Sequence, residues 1–308
     1  VALCLMGPTA AGKTDVALAL AERTDVALVS VDSAMVYRHM DIGTAKPDSE
    51  TLARHPHALV DVRDPVDAFS ASDFLEGADG AVRDAFERGR LPVLVGGTML
   101  YFKAFRDGLS ELPEADVATR TELSARAREV GWAALHAELR DVDPAAAARI
   151  RPSDPQRIQR ALEVFRLTGR PISDWWSASS GVSAGARLNC DLVCVGVTAP
   201  RDVLADRVAR RFDAMLERGF VDEVRRLRAM PGLDSGKPAM RAVGYRQIWR
   251  HLDGETGFEA MREAALSATR QLVRRQTTWL RAWPGLNRAE GSVTDIADEI
   301  LRRVPQSA

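Results

Sequence analysis

The segment Gly7-Pro8-Thr9-Ala10-Ala11-Gly12-Lys13-Thr14 constrains this chain more than any other stretch. It satisfies G-x-x-x-x-G-K-[ST] in full, with an apolar run at 1–6 before it and a helix-forming stretch, DVALALAER at 15–23, behind it. Strand, glycine loop and helix in that order are the context of a phosphate-binding loop. The glycines let the backbone curl until several N–H groups face one point, the helix N-terminus adds partial positive charge, and Lys13 supplies a full one. An oligophosphate is therefore expected at Gly7, Pro8, Thr9, Ala10, Ala11, Gly12, Lys13 and Thr14, with the Thr14 hydroxyl as the candidate Mg²⁺ ligand. The expected fold class is α/β, a P-loop NTPase-like parallel sheet with helices on both faces.

A second apolar strand at 27–31 ends on Asp32-Ser33. Residues just beyond the carboxyl ends of parallel strands line the ligand crevice, which places Asp32 beside the phosphate loop. The segment 34–47 follows neither a helical nor a strand period and reads as a functional loop. Residues 58–62 read as a third strand, 72–88 as a helix and 91–95 as a central strand. His55 and His57 flank Pro56 without a third ligand, so a loop is expected there rather than a metal site. The central strand runs into Gly96-Gly97-Thr98, where an ATPase carries an acid that holds Mg²⁺. A motor or hydrolase reading is weakened, and the glycine pair is expected to leave room for a substrate chain or ring against the backbone.

No strand-like run appears from about 113 until 192–195, and the interval reads as a helical insertion over 113–189. The core is then discontinuous, 1–112 and 190–290, with a C-terminal tail at 291–308. Within the insertion, Asp154 is a good N-cap with Pro155 at the first helical position, and Gly169 before Pro171 stops that helix. Ile158, Leu162 and Phe165 form its apolar stripe. Six arginines against Asp154 and Glu163 between 149 and 170 leave a net charge of +4, which reads either as a phosphate-contacting surface or as a solvated face. A loop is expected over 177–185.

In the resumed core, residues 201–215 read as a helix that sets Arg207 and Arg211 side by side at i, i+4, a pair able to clamp phosphate. Residues 241–246 form a glycine-broken basic and aromatic turn, and 271–283 a basic helix whose Trp279 and Trp283 read as core. Formal net charge over 308 residues is −1, so any basic surface must be local. Only four of 42 cationic residues are lysines, which gives Lys13 more weight than any single arginine. Cys4, Cys190 and Cys194 lack metal-ligand spacing and read as small apolar strand residues of a reduced, cytoplasmic protein. No run approaches the length needed to span a membrane.

GPTAAGKT, SVDSAMVYRHMDIGTAKP, VGGTMLYFKA, DPQRIQRALEV and RAVGYRQ, in this order and spacing, closely resemble the tRNA dimethylallyltransferase family over about residues 3–283. The resemblance implies transfer of a dimethylallyl group from dimethylallyl diphosphate to N6 of adenine 37, beside the anticodon, in tRNAs that read codons beginning with U. It implies Mg²⁺ as cofactor and the tRNA anticodon stem-loop as partner; a monomer is expected. By resemblance Asp32 is the general base, Thr98 the second polar group at the amine, and Lys13 with Arg207 and Arg211 the cations on the departing pyrophosphate. Asp32, Ser33, Ala34, Met35 and Thr98, then Gln156, Arg157, Ile158, Gln159 and Arg160, then Arg241, Ala242, Val243, Gly244, Tyr245 and Arg246, are the tRNA contacts it implies. ATP binding is often attributed to such a loop; here it reads as a diphosphate site first. The competing reading is a P-loop kinase of a small metabolite, against which the insertion is far larger than a kinase lid needs. A GTPase-like switch lacks its guanine-reading N-K-x-D.

Overall fold

The computed structural model describes residues 1–110, 112–178 and 181–304. They form two compact units, one of Val1–Arg106 with Ala184–Ala308, the other of Asp107–Ser183.

The first unit is built on a six-stranded sheet. Its strands are β1 (Ala2–Met6), β2 (Val26–Val31), β3 (His57–Ala58), β4 (Leu91–Gly96), β5 (Leu192–Val197) and β6 (Asn287–Ala289). All neighbours run parallel in the order β3-β2-β4-β1-β5-β6. Side chains of a strand alternate between faces, and β1 shows why both faces need cover. Ala2, Cys4 and Met6 enter a core with Phe74, Phe102 and Leu280. Leu3 and Leu5 enter another with Val16, Leu20 and Ile300. Helices Ala71–Glu87, Met99–Asp107 and Phe258–Arg281 therefore contribute to one face, and helices Lys13–Ala21 and Val293–Arg303 to the other. This is the expected α/β class.

Three boundaries differ from expectation. The third strand spans only His57–Ala58, because Leu59 and Asp61 adopt φ of +64° and +55° and Asp61 turns to meet Lys46 Nζ at 2.5 Å. The insertion occupies Asp107–Ser183 rather than 113–189. Helix Ala184–Leu188 belongs to the core, where Ala184 and Leu188 are buried and Arg187 donates to both oxygens of Asp79 at 2.7 and 3.0 Å. The segment 291–304 is not a detached tail. Ser292 and Asp295 form a capping box, and Ile296, Ala297 and Ile300 bury the following helix against the first. Residues 179 and 180 of the expected 177–185 loop, and 305–308 of the tail, lie outside the described residues.

The second unit is a helical bundle around Leu123, Leu135, Leu139, Ile158 and Leu162. Its helix Pro155–Thr168 starts and stops as the sequence dictates: Asp154 accepts the Arg157 N–H at 3.2 Å, and Gly169 closes the end at φ +68°.

Candidate active site

The phosphate loop joins β1 to helix Lys13–Ala21. Gly12, at φ +91°, turns the chain into the helix, and among the described residues no side chain caps that helix start. The first-turn N–H groups and the positive end of the helix dipole are thus left for an anion. Two loop amides are engaged already: Ala11 N–H reaches the Pro8 carbonyl at 3.2 Å, and Thr9 N–H reaches Gln276 Oε1 at 2.9 Å. Lys13 Nζ rests on the Pro8 carbonyl at 2.8 Å.

Two cations face each other here. Burial of the ammonium, then the nearby Arg211 guanidinium, push Lys13 down to about 8, with Asp32 pulling the other way. Burial likewise lowers Arg211, opposed by Asp32 and Asp15. Partly desolvated like charges of this kind are relieved by a bound anion. Of the arginine pair, Arg211 lines both the cavity that holds Asp32 and another, of about 600 Å³, along the loop. Arg207 is exposed, lines only the second, and donates to the Ala10 carbonyl at 3.4 Å.

The cavity shared with Asp32, about 510 Å³, opens along the carboxyl ends of β2 and β4. Lys13, Thr14 and Arg211 line one part of it, and Asp32 and Thr98 another. Asp32 Oδ1 accepts the N–H groups of Ala34 at 2.8 Å and Met35 at 3.2 Å, which fixes the carboxylate directly after its strand. Thr98 Oγ1 accepts the Ser33 N–H at 3.1 Å, and Thr98 N–H donates to the Val31 carbonyl at 3.1 Å. The ends of β2 and β4 are stitched together by Thr98, which bonds the residues on either side of Asp32.

Part of the space expected beside Gly97 is filled by the protein itself. A Cβ there would lie 2.5 Å from Gln276 Nε2, and that nitrogen donates to the Gly97 carbonyl at 3.0 Å. Gly97 thus admits a carboxamide of the protein's own where a Cβ would point, while Gly96 and Gly97 still line the cavity. Gln276 is buried, and its fixed side chain bridges phosphate loop and β4. Trp279, expected in the core, is 40% exposed and lines the cavity with Leu100, whereas Trp283 is buried. Neither Gln276 nor Trp279 was marked by a motif. The register of helix Phe258–Arg281, with Gln276 on the Leu280 face, is the signal that could have found the first.

The expected nucleic-acid contacts divide by exposure. Ser33, Arg241 and Arg246 are exposed, and Ala34, Met35, Ala242 and Val243 are half-buried along the cavity. Tyr245 is fully buried, its hydroxyl donating to Glu223 Oε1 at 2.6 Å, so its ring supports the turn from below. In the helical unit Gln156 and Arg157 are exposed. Ile158 is a core residue at 0% exposure and cannot meet a ligand. Gln159 donates to the Arg120 carbonyl at 3.0 Å and Ser124 Oγ at 2.9 Å. Arg160 donates to Glu163 Oε2 at 2.7 Å and the Pro113 carbonyl at 2.6 Å. Glu163 is fully buried; burial would raise its carboxyl, but hydrogen bonds from Arg120, Arg160 and the Asp116 N–H hold it below the ordinary value. Part of the arginine surplus is therefore internal to the bundle.

A family model described as IPP transferase matches residues 35–283. The chain belongs to the IPP transferase family. A family member from Hahella chejuensis, named tRNA dimethylallyltransferase 2, is 49% identical over 99% of this chain and 95% of its own length. One from Stenotrophomonas maltophilia strain K279a, named tRNA dimethylallyltransferase, is 55% identical over 91% of this chain and 89% of its own. Among solved structures, the full-length tRNA isopentenylpyrophosphate transferase from Bacillus halodurans has a TM-score of 0.69 at 36% identity, covering 98% of this chain and 95% of its own. The family's fold is accordingly the one described above. Among the described residues no helix is long and apolar enough to cross a membrane.

Proposed function

We propose that this chain is a cytoplasmic prenyltransferase that moves the dimethylallyl group of dimethylallyl diphosphate to N6 of adenine 37 in the anticodon loop of tRNAs reading U-initial codons, releasing pyrophosphate. One observation carries the reading beyond family membership: Lys13 and Arg211, placed for a diphosphate, share a single cavity with Asp32 and Thr98, placed for a proton-bearing acceptor. A donor and an acceptor can meet there without an intervening carrier.

As the C–O bond of the donor breaks, negative charge grows on the departing pyrophosphate. The Lys13 ammonium, the Arg211 guanidinium and the uncapped helix N-terminus stabilise it, with Arg207 at the outer edge. The exocyclic amine of adenine, a poor nucleophile because its lone pair is delocalised into the ring, forms the C–N bond and loses one proton to Asp32. Thr98 supplies a hydroxyl at the same wall. Mg²⁺ fits here as a charge partner for the diphosphate; the Thr14 hydroxyl is the side chain that would hold it, and it would offset the charge of the leaving group. Among the described residues no three His, Cys, Asp or Glu side chains gather to hold a metal alone.

The adenine must leave the anticodon-loop stack to reach Asp32, at a cost of about a few kcal/mol. Ser33 and Arg241 at the cavity, the neighbouring Arg246, and Gln156 and Arg157 on the helical unit are exposed groups available to tRNA. The test is incubation with dimethylallyl diphosphate, Mg²⁺ and unmodified tRNA, without ATP, followed by nucleoside mass analysis. A dimethylallyl increment on adenosine supports the reading. Transfer of phosphate from ATP to a small hydroxyl compound, with no nucleoside change, would replace it with the kinase.

A further inference from the structure

The most completely buried carboxylate beside the site has no part in the chemistry above. Glu223, on helix Phe220–Arg228, is 2% exposed and accepts four hydrogen bonds. Its Oε2 takes the N–H groups of Asp41 at 3.0 Å and Ile42 at 2.7 Å. Its Oε1 takes the N–H of Gly43 at 3.1 Å and the hydroxyl of Tyr245 at 2.6 Å. Three successive amides converging on one anion form a nest, filled here by the protein's own side chain.

The four donors come from two segments distant in sequence, and both reach the cavity. Gly43 and Thr44 line it from one, Arg241 to Tyr245 from the other. The two segments also pack closely. The Phe220 and Tyr245 rings meet edge to face at 4.8 Å, and a Cβ on Gly43 would lie 2.6 Å from Tyr245 Cε2. A buried charge is costly unless its lone pairs are satisfied, and an apolar side chain of equal volume would leave the amides of 41–43 unpaired. The carboxylate thus dictates where these backbones sit, which packing alone would not.

We propose that Glu223 is a positioning residue for the nucleic-acid side of the site: it locks the 34–47 loop to the Arg241–Arg246 turn so that both present to tRNA in one fixed arrangement. The proposal rests on the tRNA reading above. The diphosphate side has a separate tie, Gln276 between Thr9 and Gly97, so disturbance at Glu223 reaches the two substrates unequally.

Glu223→Gln tests this. Gln offers one acceptor oxygen and turns an NH₂ toward donors, so one pair of hydrogen bonds is lost. The expected result, at single concentrations of enzyme checked by thermal unfolding, is a KM for tRNA raised tenfold or more, with the KM for dimethylallyl diphosphate within twofold of wild type. A merely structural role would lower the folded fraction and hence the apparent kcat, and leave both KM values alone; that outcome overturns the proposal. If Glu223→Gln does not fold, Tyr245→Phe, which removes one donor, decides in its place: a KM for tRNA raised threefold or more supports the proposal, and an unchanged value overturns it. Wild-type enzyme inactive toward tRNA would instead remove the reading on which the proposal stands.

Discussion

The carboxamide of Gln276 accepts the N–H of Thr9 at 2.9 Å, and its nitrogen donates to the carbonyl of Gly97 at 3.0 Å. One buried side chain thereby sets the distance between the loop proposed to take the diphosphate and the strand end that carries Thr98. Both partners are backbone groups, so the tie constrains the main chain itself.

Removing that tie should be visible in stability and in binding together. Gln276→Leu removes both hydrogen bonds from the part-buried Thr9 N–H and Gly97 carbonyl, an expected cost of about 0.5–1.5 kcal/mol for each. Denaturant melts should show that loss, and calorimetry a weaker affinity for Mg²⁺-pyrophosphate. Stability lost with unchanged pyrophosphate affinity would confine Gln276 to holding the fold.

The depressed Lys13 makes two opposite forecasts for pH. Free enzyme loses the ammonium as pH rises through about 8, while a bound diphosphate favours the charged form. Pyrophosphate affinity should therefore fall above pH 8, and binding near that pH should take up a proton, measurable by calorimetry in buffers of different ionisation enthalpy. For stability the sign reverses. An unfolded lysine keeps its proton to about 10.4, so between about 8 and 10.4 the unfolded state binds more protons and the folded state gains stability with rising pH. The difference between wild type and Lys13→Met melts across that window isolates the effect.

The helical unit separates two neighbouring arginines. Arg157 is exposed with only a loose contact to Asp154 at 3.5 Å, whereas Arg160 is paired to buried Glu163. Arg157→Ala should lower tRNA affinity, reduce the salt slope by about one unit if it contacts phosphate, and leave the melting temperature alone. Arg160→Ala should cost about 1–3 kcal/mol of stability, since a buried charge loses a partner. Equal effects of the two on stability would contradict this division.

The parts of this molecule legible in its sequence are those where local chemistry and function coincide. Gly12 and Lys13 mark the turn from β1 into a helix whose start no side chain caps among the described residues, and Asp154-Pro155 with Gly169 mark a helix whose capping is purely local. Asp32 was locatable because a parallel sheet sends its strand ends to one edge. Gln276 and Glu223 were not, since each acts through partners 267 and about 180 residues away, and no short-range pattern records such a distance. Ile158 illustrates the opposite failure: a contiguous motif, Gln156 to Arg160, assigns five residues to a surface, yet the 3.6-residue period turns the middle one inward. The helix Val293–Arg303 was written in the Ser292-Asp295 capping box and the Ile296, Ile300 spacing, signals that no ligand motif draws attention to.

The role of Asp32 is the centre of the account, and Asp32→Asn tests it most directly. Asn keeps the shape and an oxygen for the Ala34 and Met35 amides that hold the side chain in place, but it cannot take up a proton at neutral pH. The measurement is the single-turnover rate of label transfer from dimethylallyl diphosphate to tRNA, with both substrates saturating so that binding does not enter. A general base should cost about 10² to 10⁴ in rate when lost, with no rescue by added Mg²⁺. A variant rate within threefold of wild type would contradict Asp32 as the acceptor of the amine proton.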